Sequence, residues 1–115
     1  MYVLPSYPLS FSSSLHSAPS TAPANINGLA IDHSSISLQW DPIPAPQANG
    51  IVRLYAVKVT ERETGITFEH NSTTTSIVLR FLHPDYVYEC RVAAFTIALG
   101  PFSTIFAIQV LMAGT

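Results

Sequence analysis

Apolar side chains recur at every second position along much of this chain, and the places where the alternation stops divide it into short extended segments. In the clearest, Tyr88, Cys90, Val92 and Ala94 alternate with Glu89 and Arg91, which predicts a half-buried strand. Pro84 and Asp85 stand just before it, where a fixed φ and a short hydrogen-bonding side chain suit a corner. Upstream, Ile36, Leu38 and Trp40 alternate with Ser37 and Gln39, so Trp40 is expected at the centre of a core. Residues 52–62 place Tyr55, Val57 and Val59 inward and Ala56, Lys58 and Thr60 outward, and residues 66–70 form a shorter run around Phe68. Ile77 and Leu79 begin a further strand leading to Leu82, and a last one is expected from about 103 to 111. At the other end, Ile26, Leu29 and Ile31 surround Gly28, a pattern for a short edge strand with an irregularity.

The breaks agree with this division. Asp32, His33 and Ser34 make a turn; Asn49-Gly50 and Thr64-Gly65 make two more; Gly100-Pro101 separates the last two strands. Between Trp40 and Asn49, prolines 42, 44 and 46 remove ladder donors, which predicts a stiff connection. Residues 71–76 are uniformly polar. Seven short strands with such spacing predict an all-β antiparallel sandwich. It should occupy residues 23–112, after a flexible Ser/Pro-rich tail or linker over 1–22 and before a short tail over 113–115.

The spacing Leu82-x-Pro84-x-x-x-Tyr88-x-x-x-Val92-x-Ala94 resembles the corner and sixth strand of a fibronectin type III domain. Leu38-x-Trp40-x-Pro42, Asn49-Gly50 followed by Val52-x-x-Tyr55-x-Val57, and Gly100-Pro101-x-Ser103 occur in the order and with the gaps of that family. The resemblance covers roughly 23–110 and implies a seven-stranded immunoglobulin-like (fibronectin type III) sandwich with Trp40, Tyr55, Leu82, Tyr88 and Val92 in its core. It also implies that the Tyr88 hydroxyl returns to the backbone a few residues upstream. The turn style is similar to modules of animal adhesion molecules and receptor-type tyrosine phosphatase ectodomains. Two departures stand out: residues 105–113 are nearly all apolar, and the integrin-binding Arg-Gly-Asp tripeptide is absent.

Composition changes the picture in three ways. Charged residues make up 10% of the 115, against roughly 25% in an average domain. The net charge of -2 contains no run of either sign, so nothing steers the chain to nucleic acid or anionic lipid. Cys90 is the only cysteine; an internal disulfide is excluded, a thiolate zinc site is disfavoured, and strand alternation makes it a small buried apolar residue. Residues 92–115 carry no charge and are long enough to cross a bilayer. Gly100 and Pro101 break that stretch, so two strands and a turn are the preferred reading and direct membrane insertion the rival. Pro5 and Pro8 interrupt the uncharged N-terminus, and no clear signal peptide is read there.

Convergent chemistry is not visible. His16, His33, His70 and His83 are scattered, and no catalytic or phosphate-binding motif occurs. Glu61 and Glu63 are expected on one face at a strand end, solvated. No catalytic residue, metal site or cofactor is assigned, and the chain is read as no enzyme. Asn71-Ser72-Thr73 is an N-glycosylation sequon in an expected polar connection. The outer face of the larger sheet offers a candidate surface. Ala93 and Phe95 should point outward, and with Phe106, Ile108 and Val110 inward, Ile105, Ala107 and Leu111 would join them in an apolar patch. A one-residue shift of the last strand would exchange its faces and abolish the patch. On the same face Lys58, Glu89 and Arg91 are expected to alternate in sign across strands.

These readings point to a non-catalytic extracellular or cell-surface module, a spacer and protein-interaction unit of an adhesion or receptor protein, with an unidentified protein partner and neighbouring domains of a longer receptor. The alternatives are an ectodomain fragment of a receptor-type tyrosine phosphatase whose catalytic domain lies elsewhere, and a chain anchored in a membrane through residues 92–115.

Overall fold

A computed structural model describes residues 17–112, so His16, the first part of the expected tail and residues 113–115 lie outside the described residues. The strands are β1 Asn27–Asp32, β2 Ser35–Gln39, β3 Leu54–Glu61, β4 Thr67–Ser72, β5 Ser76–Leu79, β6 Val87–Phe95 and β7 Phe106–Gln109. They form two antiparallel sheets, one ordered β1-β2-β5 and the other β4-β3-β6-β7.

The core follows from the alternation. Ile36 and Leu38 of β2 and Leu79 of β5 meet Tyr55, Val57 and Val59 of β3 and Tyr88, Cys90, Val92 and Ala94 of β6, all buried. The ring edge of Trp40 meets Tyr55 with centroids 5.5 Å apart and planes at 63°, a favoured aromatic geometry. Leu82 is half-buried against this cluster. In β7 the register Tyr88↔Ile108 and Cys90↔Phe106 turns Phe106 and Ile108 inward, and Val110 beyond them is buried. The last strand therefore takes the expected face assignment rather than the shifted one. It is shorter than expected because Ser103 already bonds Val92 through both its backbone N–H, 2.9 Å to the carbonyl, and its Oγ, 3.0 Å from the amide.

No helix among the described residues is long and apolar enough to cross a membrane. Within the stretch weighed as an anchor, residues 92–95 complete β6 and 106–109 form β7.

Three local expectations are corrected and one is refined. The proline-rich connection contains a helical turn, α1, Ala45–Ala48. Pro46 is compatible with it because the first turn needs no N–H from that residue. The Gln47 and Ala48 amides bond the Pro44 carbonyl, and Asn49 closes the turn at φ 57°. Strand β1 is an edge strand with an irregularity, as expected; the irregularity lies between Ala30 and Asp32, and Leu29 and Ile31 point to solvent and Gly28 inward. Strand β4 runs to Ser72, so Asn71 lies in an edge strand opposite Ala56 and not in a connection. Residues 17–22, expected as the end of a tail, lie on the domain. Ser17 N–H donates to the Asn49 carbonyl (2.9 Å), Ser20 N–H to that of Gln47 (2.8 Å), and Thr96 Oγ1 to that of Ser17 (2.6 Å). Pro19 is buried against Gly100, where a Cβ would stand 2.9 Å from the proline ring. The segment has no strand periodicity, since its carbonyls and amides bond loops and not a ladder.

The inward-facing Gly28 is a tight place in the sandwich. A Cβ built there would stand 2.8 Å from Leu38 Cδ2, 3.0 Å from Phe106 Cε2 and 3.1 Å from the Ser37 carbonyl oxygen. Leu38 is fully buried and has little room to give. Gly28→Ala is expected to destabilise the domain by about 1–3 kcal/mol through overpacking, measured by urea unfolding; an unchanged midpoint would show that β1 shifts outward freely.

Candidate functional site

The outer face of the four-stranded sheet is read directly from its register. One row runs Asn71, Ala56, Ala93; the next Glu69, Lys58, Arg91; the next Thr67, Thr60, Glu89, Ala107. Ala93, expected as part of an exposed apolar patch, is completely buried although it lies outside the core cluster. Phe95 is half-buried opposite Leu54, while Ile105, Ala107 and Leu111 are exposed. Glu89 and Arg91 stand on β6 between the two groups, so the five residues do not make one continuous apolar surface.

The expected charge ladder is also different. Lys58 lies opposite Arg91 of the same sign, and its Nζ sits 4.7 Å from the centroid of the Phe102 ring. Glu89 instead accepts from Arg62 Nε at 3.0 Å. Both partners are substantially exposed, and such a pair contributes at most about 1 kcal/mol.

Where β6 begins, the corner residues come together. His83 N–H donates to Tyr88 Oη at 2.8 Å, and the phenol donates to Glu61 Oε2 at 3.3 Å. Thr64 Oγ1 donates to Glu61 Oε1 at 2.7 Å, and His83 Nε2 is 3.8 Å from Oε2. Glu61 was expected in solvent, yet it is buried; it continues the inward series Tyr55, Val57, Val59 and lies opposite Tyr88. Glu63 does not share its face, being in the turn after β3, exposed, and accepting from the Val87 amide at 3.3 Å. Burial, the largest influence, pushes the Tyr88 phenol above its ordinary range; the His83 amide acts the other way and the Glu61 charge reinforces burial. Cys90 is a free buried thiol that burial pushes up to about 12, far from the thiolate a nucleophile or metal ligand requires.

His33 and His70 are exposed, and His83 lies against Tyr86 with centroids 4.8 Å apart and planes tilted by 42°. Among the described residues no three His, Cys, Asp or Glu side chains are grouped to hold a metal ion. Asn71 is exposed on the outer side of the edge strand.

A feature that sequence reasoning missed lies beside the other side of β4. Phe68 and His70 of β4 and Arg80, Phe81 and Leu82 after β5 line a concavity of about 210 Å³. Continued alternation from Ile77 and Leu79 would send Phe81 inward. Its backbone turns to φ 63° and its ring is 93% exposed. That left-handed conformation costs a bulky residue about 1–2 kcal/mol.

Two sheets of three and four strands, joined in this order and fastened by a tyrosine at the entrance to β6, define a β-sandwich of the immunoglobulin-like class. The chain belongs to the fibronectin type III domain family, whose model matches residues 21–109. It is 32% identical over 84 residues to protein sidekick-2 of Mus musculus, and 35% identical over 82 residues to phosphatidylinositol phosphatase PTPRQ of Rattus norvegicus. Each match covers 70% of this chain and 4% of the relative, so the chain corresponds to a small part of these curated relatives and to no demonstrated catalytic region. The fn3 domain of human contactin 1 superposes with a TM-score of 0.70 at 26% identity, over 89% of this chain and 87% of that one.

Two outcomes test the corner and the thiol. Tyr88→Phe removes the acceptor of the His83 amide and the donor to Glu61, and should cost about 1–3 kcal/mol in urea unfolding; a loss below about 0.5 kcal/mol would show that neither bond contributes. Because burial holds the folded-state pKa of Cys90 above the ordinary thiol value of 9.0, the unfolded chain ionises first as pH rises. The thiol's contribution to stability is therefore complete below pH 9 and is lost between pH 9 and about 12. Stability measured across that window should fall less steeply in Cys90→Ala than in the wild type; parallel curves would contradict the burial of the thiol.

Proposed function

We propose that the chain is a non-catalytic extracellular module of a cell-adhesion or receptor protein, acting as a spacer between neighbouring domains and as a surface for a protein partner. One observation carries this reading: the similarity to sidekick-2 spans a single module's length within a far larger protein. Asn71 is the proposed site of an N-linked glycan, since its sequon is displayed on an exposed edge strand.

A second reading is favoured by the similarity to PTPRQ: the same module would then sit in the ectodomain of a receptor whose phosphatase domain lies elsewhere. Phosphatase activity in material immunoprecipitated through this module would select it, and its absence would select the adhesion reading.

An antibody to the chain should stain intact cells that express the parent gene, and glycosidase treatment should lower the mass of the wild type but not of Asn71→Gln. Staining only after permeabilisation would overturn the extracellular assignment; an unshifted wild-type mass would overturn the glycan.

A further inference from the structure

The concavity beside β4 combines three properties that the fold itself does not need. Phe81 is held almost wholly in solvent by a left-handed backbone, although a phenylalanine contributes little there and glycine would adopt the same conformation without strain. Arg80 beside it is exposed, and its guanidinium has no ion pair or hydrogen bond among the described residues. No acidic side chain lines the concavity; Glu69 points to the opposite face of β4, in the row of Lys58 and Arg91. The wall is thus aromatic and cationic, formed by Phe68, His70, Arg80 and Phe81. Aromatic residues and arginine are the types that dominate protein-binding hot spots.

The other wall element, β4, is the edge of its sheet, paired only with β3. Its outer backbone edge can receive a further strand.

We propose that this groove is a docking site for an extended, acidic segment of a partner protein, in which an apolar side chain and a carboxylate stand two positions apart and so share one face of the added strand. The segment adds a strand along β4, packs an apolar side chain on Phe81 and Phe68, and brings a carboxylate to Arg80. Charge complementarity selects this occupant: the unpaired guanidinium favours a carboxylate, preferably bidentate, and a basic segment would meet Arg80 with like charge. The inference rests on the reading of the chain as a protein-interaction module and specifies which surface and which partner chemistry that module uses.

The test is a titration of the isotopically labelled chain, followed by its amide resonances. The probes are an end-blocked peptide repeating Thr-Val-Thr-Asp, which sets Val and Asp on one face of a strand, and the same peptide with Lys for Asp. The acidic peptide should move the resonances of Phe68, His70, Arg80, Phe81 and Leu82, less so as salt is raised, and the basic peptide should not. Arg80→Glu should weaken the response about tenfold or more. Phe81→Gly should raise the urea midpoint by relieving the backbone and yet lose binding, so the loss cannot be ascribed to unfolding.

No movement at millimolar peptide, or equal movement with both peptides, would overturn the proposal. Shifts of the same resonances on raising the protein concentration alone would overturn it too and assign the groove to a second copy. A flat titration together with staining of intact cells would overturn the groove while leaving the extracellular module reading in place.

Discussion

The sandwich depends on keeping one phenol in the interior with its hydroxyl satisfied. Tyr88 is completely buried at the start of β6, the strand shared between β3 and β7. An unpaired hydroxyl at that depth would oppose folding by about 1–3 kcal/mol. The His83 amide and Glu61 prevent this from two different connections, one before β6 and one at the end of β3. The ring thereby fastens the crossing between sheets to the turn between β3 and β4. Glu61 is acceptable in the interior because each of its oxygens meets a donor, Thr64 on one side and Tyr88 on the other.

The alternation of side chains along β2, β3 and β6 was legible because both periods, the pleat and the burial of one face, are the same. Trp40, Tyr55 and Val92 could be placed on that basis alone, and the inward face of β7 followed from Phe106 and Ile108. Glu61 defeated a rule that treats acidic residues at strand ends as solvated, although its parity with Val59 already pointed inward. Ala93 defeated the opposite rule: it holds an outward position and is nevertheless completely buried. A small apolar residue carries no sequence signal that separates the two. Phe81 was unreadable because a change of sign in φ reverses a side chain without altering the pattern of residue types. Residues 17–22 were missed because their bonds run to distant loops and leave no local period, and α1 because a single turn of four residues is too short to show one.

The surface that remains is unevenly divided. On the outer face of the larger sheet two charges have contacts of their own, Glu89 with Arg62 and Lys58 on the Phe102 ring. The apolar residues expected to unite there are separated by β6's own charged positions. Beside β4 the balance is reversed, with aromatic rings exposed and a guanidinium unpaired. A protein with few charges can hold distinct surfaces in this way, because each unpaired charge defines its neighbourhood.

The contact of residues 17–22 with the domain has a mechanical consequence. Tension applied from the N-terminal side does not reach β1 first. It meets the bonds from Ser17 to Asn49 and Thr96, and from Ser20 to Gln47, which tie the incoming chain to α1 and to the turn after β6. With Pro19 seated on Gly100, that load passes into the β2–β3 and β6–β7 connections before the β1–β2 ladder can open from its end. The segment acts as a strain relief, as a cable clamp protects the joint behind it.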